Sequence, residues 1–208
     1  VAIGSSTLVE NTTGYRNIAI GHNSLANNIS GYDNIAIGHD TLKHITDATA
    51  NTAVGKGALG LSTASNNTGV GYHALNQNTT GTRNTTVGAN SLDANTTGSY
   101  NTSLGYASLG ANTIGGENVA VGDAALLSNT EGNKNTAVGQ SALSSVTTGD
   151  NNTAVGHSAL KVNTGNYNVA VGYQAADNNT TGSVTAVGYN AGGNNTTCLL
   201  YTSPSPRD

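Results

Sequence analysis

The feature that most constrains this chain is a five-residue motif that recurs from one end of the sequence to the other. The motif reads Asn-Thr-Ala-Val-Gly or a close variant, and each copy closes on a glycine. A period this short and regular is typical of the turns of a solenoid, because it is too short for a chain of separate domains. The closing glycines lie 16 or 17 residues apart, at Gly4, Gly21, Gly38, Gly55, Gly71, Gly88, Gly105, Gly122, Gly139, Gly156, Gly172 and Gly188.

An aliphatic column stands directly before the closing glycines, and all but one of its members are β-branched. A small residue, usually Ala, precedes each member, and Val, Ile or Thr comes one step earlier. This alternation predicts a short β-strand with one face turned inward. We therefore expect the column to lie in the core, as represented by Ile20, Ile37, Val54, Val87, Val121, Val138, Val155 and Val171.

A second apolar column follows the motif glycines and consists of leucine. We expect it to form a second short strand, or an extended segment, that closes the turn and adds to the core: Leu25, Leu42, Leu59, Leu126 and Leu143. An Asn-Thr-Thr-Gly sequence, as at residues 11–14, then predicts a reversal of the chain, because Asn and Gly tolerate positive φ. The motif glycines are expected to mark the other reversal: Gly21, Gly38, Gly55, Gly88, Gly105, Gly122, Gly139 and Gly156.

Together these columns predict an all-β fold, a parallel β-roll or β-solenoid of about twelve rungs of 16–17 residues, over residues 1–197. A helical fold is disfavoured because Gly, Asn, Thr and Val dominate the repeat. We expect this region to be a fragment that is truncated at both ends. Residues 198–208 break the pattern and hold both prolines and the only cysteine. Because that string back-translates to a transposon-based sequencing adapter, we interpret it as a non-native tail.

The composition limits the possible partners. Charged residues make up only 9% of the chain and the net charge is −4, so no basic surface for nucleic acid is expected. No apolar run in this fragment approaches the length of a membrane span. Each rung buries few apolar side chains, which favours association with further copies of the chain. We expect small residues to allow close approach between copies, namely Ala19, Ala36, Ala120 and Ala137.

Four tyrosines that follow motif glycines are candidates for a binding surface: Tyr72, Tyr106, Tyr173 and Tyr189. They are expected along one edge of the rod. Tyrosine offers a flat apolar ring and a polar hydroxyl, which suits sugar recognition. The alternative is that these rings only shield a turn.

Histidines occupy the same column, and two of them, His22 and His39, fall on adjacent repeats. They could approach one another and share a metal ion. The third, His157, stands alone, and the column also accepts Ser, Lys, Asp and Gln, so the sequence favours solvated turn positions. We therefore predict no metal site and no cofactor. Carboxylates are few and irregular, so no catalytic residue is predicted and an enzyme is the least expected class.

Adjacent threonines recur in the predicted turn, as in Thr12-Thr13 and Thr79-Thr80. Stacked turns would align them into a threonine array of the kind that orders water in ice-binding solenoids. Neighbouring side chains point to opposite faces of a strand, however, which weakens this alternative.

The unit Asn-Ile-Ala-Ile-Gly at residues 17–21, followed by Ser-Leu and a Gly turn, resembles the head repeat of trimeric autotransporter adhesins. The longer unit that includes Asn-Thr-Thr-Gly is similar to repeats of phage tail-fibre proteins. The resemblance covers residues 1–197, and the longer turn is a departure from the usual adhesin rung. It implies a left-handed parallel β-roll in which three chains pack into one head.

The same resemblance implies the function. We expect a structural and adhesive segment that attaches to a cell or host surface, with itself as partner in a homotrimer and a surface glycan or protein as a further partner. The alternatives are a phage tail-fibre shaft that binds a carbohydrate receptor, and an ice-binding solenoid. The expected location is extracellular, at the cell surface with an outer-membrane anchor in the full-length protein, or in a virion tail fibre.

Overall fold

A computed structural model describes residues 1–180, 183–193 and 200–202. Over these residues the chain forms a parallel β-solenoid of about 11 turns, with a spacing of ~17 residues, and contains no helix. The predicted all-β class and solenoid architecture are confirmed.

Most turns contribute one short strand to a 13-stranded parallel sheet. Its strands are β1 (Ala2–Ile3), β2 (Ile18–Ile20), β3 (Ile35–Ile37), β4 (Thr52–Val54), β5 (Thr68–Val70), β6 (Thr85–Val87), β7 (Thr102–Leu104), β8 (Val119–Val121), β9 (Thr136–Val138), β10 (Thr153–Val155), β12 (Val169–Val171), β14 (Thr185–Val187) and β15 (Leu200–Thr202). A second, two-stranded sheet pairs β11 (Val162–Asn163) with β13 (Asn178–Asn179). Equivalent motif residues are partners, as Ala19 and Ala36 are, so the sheet register follows the sequence repeat. Strand β15 falls within residues 198–208, and the rest of that segment lies outside the described residues.

The inward face of the sheet is formed by the small middle residue of each three-residue strand from β2 to β14. Ala19, Ala36 and Ala137 are fully buried, whereas the residues beside them point outward because side chains alternate along a strand. The expected core position of the aliphatic column is therefore corrected. Its members are half-buried or exposed on the outer face: Ile20, Ile37, Val54, Val87, Val121, Val138, Val155 and Val171.

Leucine side chains fill the interior and explain why only small residues fit opposite them. The structure places the whole predicted leucine set at full burial: Leu25, Leu42, Leu59, Leu126 and Leu143. A Cβ added at Gly69, the middle residue of β5, would already lie 3.5 Å from the Leu59 side chain. The expected role of the alanines between copies is also corrected, because they pack inside their own chain: Ala19, Ala36, Ala120 and Ala137.

The leucines lie in a series of tight turns and not in the extended segment that the sequence suggests. Leu25 and Leu143 have φ angles of 52° and 51°, the left-handed region that bulky side chains rarely adopt. Such a backbone costs roughly 1–2 kcal/mol per residue. Burial of the leucine side chain contributes about 2 kcal/mol and offsets this strain.

The motif glycines begin these turns, where both the backbone angle and the packing require glycine. Gly21 has a φ of 127°, and an added Cβ would lie 2.3 Å from the carbonyl oxygen of Gly38 on the next turn. The backbones of successive turns therefore meet without any side chain between them. The same positive φ occurs at Gly21, Gly38, Gly55, Gly88, Gly105, Gly122, Gly139 and Gly156.

Buried asparagines link each turn to the next. The Asn17 side-chain oxygen accepts a hydrogen bond from the Asn34 backbone amide at 3.0 Å, and Asn17 Nδ2 donates to the Gly31 carbonyl at 2.8 Å. The equivalent bonds recur along the solenoid, as between Asn84 and Asn101. Because a buried amide without a partner is costly, this ladder holds the turns in register.

Candidate binding surfaces

The first candidate surface is a continuous aliphatic column on the outer face of the sheet, which we call the outer stripe. It comprises Ile20, Ile37, Val54, Val70, Val87, Leu104, Val121, Val138, Val155, Val171 and Val187. The most exposed members, Leu104 and Val187, retain 46% and 45% of their surface. Contiguous apolar surface of this kind marks a site of interaction with another molecule.

The second candidate surface is the column of predicted binding tyrosines, which are all exposed: Tyr72, Tyr106, Tyr173 and Tyr189. The structure brings two of them together. Tyr173 and Tyr189 stack with ring centroids 5.4 Å apart, and His157 stacks on Tyr173 at 5.2 Å. Each turn contributes one residue to this column, so the three rings lie on three successive turns. Together they form a flat surface that we call the aromatic platform.

The other two predicted tyrosines stay apart from this platform and from one another. Ala89 occupies the column on the turn between Tyr72 and Tyr106. Tyr72 instead stacks on its chain neighbour His73, with centroids 4.1 Å apart, and the Lys56 ammonium lies 6.0 Å from its ring. A binding surface that used all four rings together is therefore absent from this single chain.

A further aromatic group lies at a different turn from the one that follows the motif glycines, and it was not predicted from the sequence. Tyr15 and Tyr32 stack with centroids 4.8 Å apart and nearly parallel planes, and the Arg16 guanidinium lies over Tyr15. Arg83 makes the same kind of contact with Tyr100. The signal was present in the sequence, because Tyr15 and Tyr32 stand two residues before successive motif asparagines.

The third candidate surface is a polar cluster around the paired histidines. His22 and His39 stack on adjacent turns with centroids 5.0 Å apart, and His39 Nδ1 lies 2.8 Å from Asp40 Oδ2. Asn23 Nδ2 donates to Asp40 Oδ1 at 2.9 Å, and Lys43 Nζ lies 3.5 Å from the same oxygen. The hydrogen bond from Asn23, together with the positive charges of Lys43 and His39, lowers the pKa of the Asp40 carboxyl.

A shallow cleft lies next to this cluster, where one turn has no side chain at two positions, Gly57 and Gly60. It encloses about 230 Å³, and Lys43, Lys56 and His73 contribute to its lining. This volume is below the roughly 300–1,000 Å³ that is usual for small-molecule sites. The cleft therefore suits at most a single small group.

Comparison with known protein families, with curated proteins and with solved structures finds no match to this chain. Among the residues that the structure describes, no helix has the length and apolar character to cross a membrane.

Proposed function

We propose that this chain is a segment of an adhesive fibre or head in which several copies pack together through the outer stripe. The observation that carries the proposal is the stripe itself, which runs along the sheet from β2 to β14 and faces away from the core on every turn. Covering a half-exposed valine contributes about 1 kcal/mol. Summed over the stripe, this is a substantial driving force for association.

The resemblance to trimeric adhesin heads favours a homotrimer, with a left-handed roll in each chain. Such a rod presents the same surface chemistry at regular intervals, so weak contacts with a cell or host surface gain by multivalency. The proposed location is the cell surface or a virion tail fibre.

The oligomeric state tests this proposal directly. We expect the chain to sediment as a trimer in analytical ultracentrifugation. Charged substitutions in the stripe, Val155→Asp with Val171→Asp, should yield a folded monomer, because they oppose the close packing of apolar side chains between copies. Asn27→Asp, at an exposed position outside the stripe, serves as the matched control and should leave the trimer intact. A chain that remains monomeric at concentrations near 100 µM would exclude packing through the stripe.

A carbohydrate receptor is the partner that the aromatic platform supports best. Stacked Tyr173 and Tyr189 offer ring faces and hydroxyl groups side by side, the combination that sugar rings contact. Glycan-array binding should be lost when both become Ala. Tyr106→Ala is the matched control, since Tyr106 is exposed but lies outside the platform. Equal binding by all three proteins would assign adhesion to another surface.

Ice binding remains a second candidate because threonines share the outer face of the sheet with the stripe. Thr136 and Thr153 stand in β9 and β10, each two residues before a stripe valine and therefore on the same face. The turn threonines are less suitable, since Thr79 and Thr96 donate their hydroxyl hydrogens to carbonyls of the next turn. Thermal hysteresis of the purified chain distinguishes this candidate, and its absence would reject it.

A further inference from the structure

The paired histidines and their neighbouring aspartate have the composition of a metal site. His22, His39 and Asp40 each bring one ligand atom, and these atoms all lie within 4.8 Å of one another. Imidazole nitrogen and carboxylate oxygen are both common zinc ligands. The sequence alone favoured solvated positions for the histidines, because varied side chains share their column and no regular pattern of carboxylates accompanies them.

His39 Nδ1 and Asp40 Oδ2 face one another as an ion pair, which places two potential ligand atoms side by side. Two ligands with bonds of about 2.0–2.2 Å to a tetrahedral ion are separated by about 3.3–3.6 Å. His39 Nδ1 and Asp40 Oδ2 are 2.8 Å apart, a hydrogen-bonding distance, so an ion bound by both atoms would displace the proton between them and move them slightly apart. The wider separations in the cluster can close by side-chain rotation, because both histidines are exposed.

The backbone beneath the cluster is held firmly, which limits the ordering that an ion would have to impose. The Asp40 amide donates to the His22 carbonyl at 3.0 Å, so the two turns are joined at this point. Asn23 Nδ2 also holds the Asp40 carboxylate at 2.9 Å. A carboxylate fixed by an outer hydrogen bond is the arrangement that supports metal ligands in proteins.

We propose that His22, His39 and Asp40 bind a divalent metal ion such as Zn²⁺, with the fourth coordination position open to water. Among the residues that the structure describes, these three form the one group of this composition. The other histidine in the same column, His157, has Gln140 and Tyr173 as its column neighbours. The proposal is independent of the adhesive function and of the association through the outer stripe.

Lys43 allows a test in which two kinds of substitution change the affinity for metal in opposite directions. Its ammonium lies 3.5 Å from Asp40 Oδ1 and repels an incoming cation. Removing this charge with Lys43→Gln should therefore strengthen metal binding, whereas loss of a ligand should weaken it. A purely structural role for the cluster would not produce these opposite effects.

The test is isothermal titration of the full chain, produced without a histidine tag, with zinc chloride. We expect one ion per chain, a loss of affinity of about tenfold or more in His22→Asn and in His39→Asn, and tighter binding in Lys43→Gln. His157→Asn is the matched control and should bind as the parent does. Circular dichroism melts of each variant establish that it folds, and zinc should raise the melting temperature of the parent but not that of the double histidine variant.

Two results would overturn the proposal. One is the absence of zinc binding above the buffer signal in a folded parent chain. The other is binding that persists unchanged when both histidines of the pair are replaced, which would assign the ion to other surface groups.

Discussion

The side-chain oxygen of Asn118 accepts a hydrogen bond from the backbone amide of Asn135 on the next turn, with a donor–acceptor distance of 2.9 Å. Asn118 Nδ2 also donates to the Gly132 carbonyl at 2.8 Å. One buried side chain thus satisfies polar groups in two places, where no water is available to replace it.

Replacing Asn118 by Leu should lower the free energy of unfolding by about 1 to 3 kcal/mol, because the buried Asn135 amide loses its partner while the Gly132 carbonyl keeps only its hydrogen bond from Asn129 Nδ2. Urea unfolding followed by circular dichroism measures the change. Asn27→Ala, at an exposed position, is the control and should stay within about 0.5 kcal/mol of the parent. Equal losses in the two variants would show that the ladder does not hold the turns together.

A second prediction tests which face of the strand lies inside. Ala137 is fully buried and Val138 is only half-buried. Ala137→Val should therefore destabilise the chain by about 1–3 kcal/mol through overpacking against the leucines. Val138→Ala should cost less than about 1 kcal/mol in the monomer, since it leaves no internal cavity. Thermal melts at a concentration below that of association measure both losses of stability. A larger loss in Val138→Ala than in Ala137→Val would place the outer stripe inside.

The motif glycines provide a third prediction. Gly122 has a φ of 135°, and a Cβ there would lie 2.6 Å from the backbone of Gly139. Gly122→Ala should cost about 2 to 4 kcal/mol or prevent folding, since the strained angle and the close contact add together. Gly110→Ala is the comparison, because the nearest atom to its added Cβ is 3.1 Å away and its φ is not strained. A melting temperature equal in both variants would contradict the requirement for glycine.

Asp40 should make stability depend on pH in acid. Its pKa is lowered in the folded chain, first by the hydrogen bond from Asn23, so its contribution is present above the unfolded value of 3.8 and is lost as pH falls through the folded pKa. Asp40→Asn should therefore reduce stability at pH 7, by less than about 1 kcal/mol because the group is near the surface. The difference between the two proteins should disappear in urea titrations once the pH falls below the folded pKa of Asp40. A difference that persists there would be independent of charge.

Asp93 should behave in the opposite way. Burial raises the pKa of its carboxyl, so its favourable contribution is present below the unfolded value of 3.8 and is lost as pH rises through the folded pKa. Asp93→Asn should therefore stabilise the chain at pH 7 and have little effect in acid. The same titrations measure this, and destabilisation by Asp93→Asn at neutral pH would contradict it.

The sequence predicted the architecture but not the orientation of the strand. The period determines where turns begin, and a leucine at the same position in most repeats predicts an apolar core. A Val-Ala-Val strand such as Val119–Val121 is symmetrical, however, and either face could point inward. Which face points inward depends on the space that Leu126 and its equivalents leave in the interior. The sequence of a single repeat does not show how large that space is.

The candidate surfaces were predictable to different degrees. The tyrosine column followed from the repeat, but the pairing of rings depends on which residue the adjacent turn carries, as Ala89 shows for Tyr72 and Tyr106. Asp40 follows His39 in the sequence but was not predicted as a ligand, because the carboxylates show no regular pattern; its backbone lies in the left-handed region with a φ of 54°. Sequence patterns indicate which residues share a column, but such angles decide which side chains meet.

The direct backbone contact at the motif glycines makes the rod a molecular ruler. Each repeat adds one fixed increment of about 4.8 Å in length, and each turn contacts only its neighbours. Loss or duplication of whole repeats in the gene would change the reach of the rod while leaving its cross-section and outer stripe in phase. Distance can thus be adjusted in whole steps, without redesigning the contacts that hold the structure together.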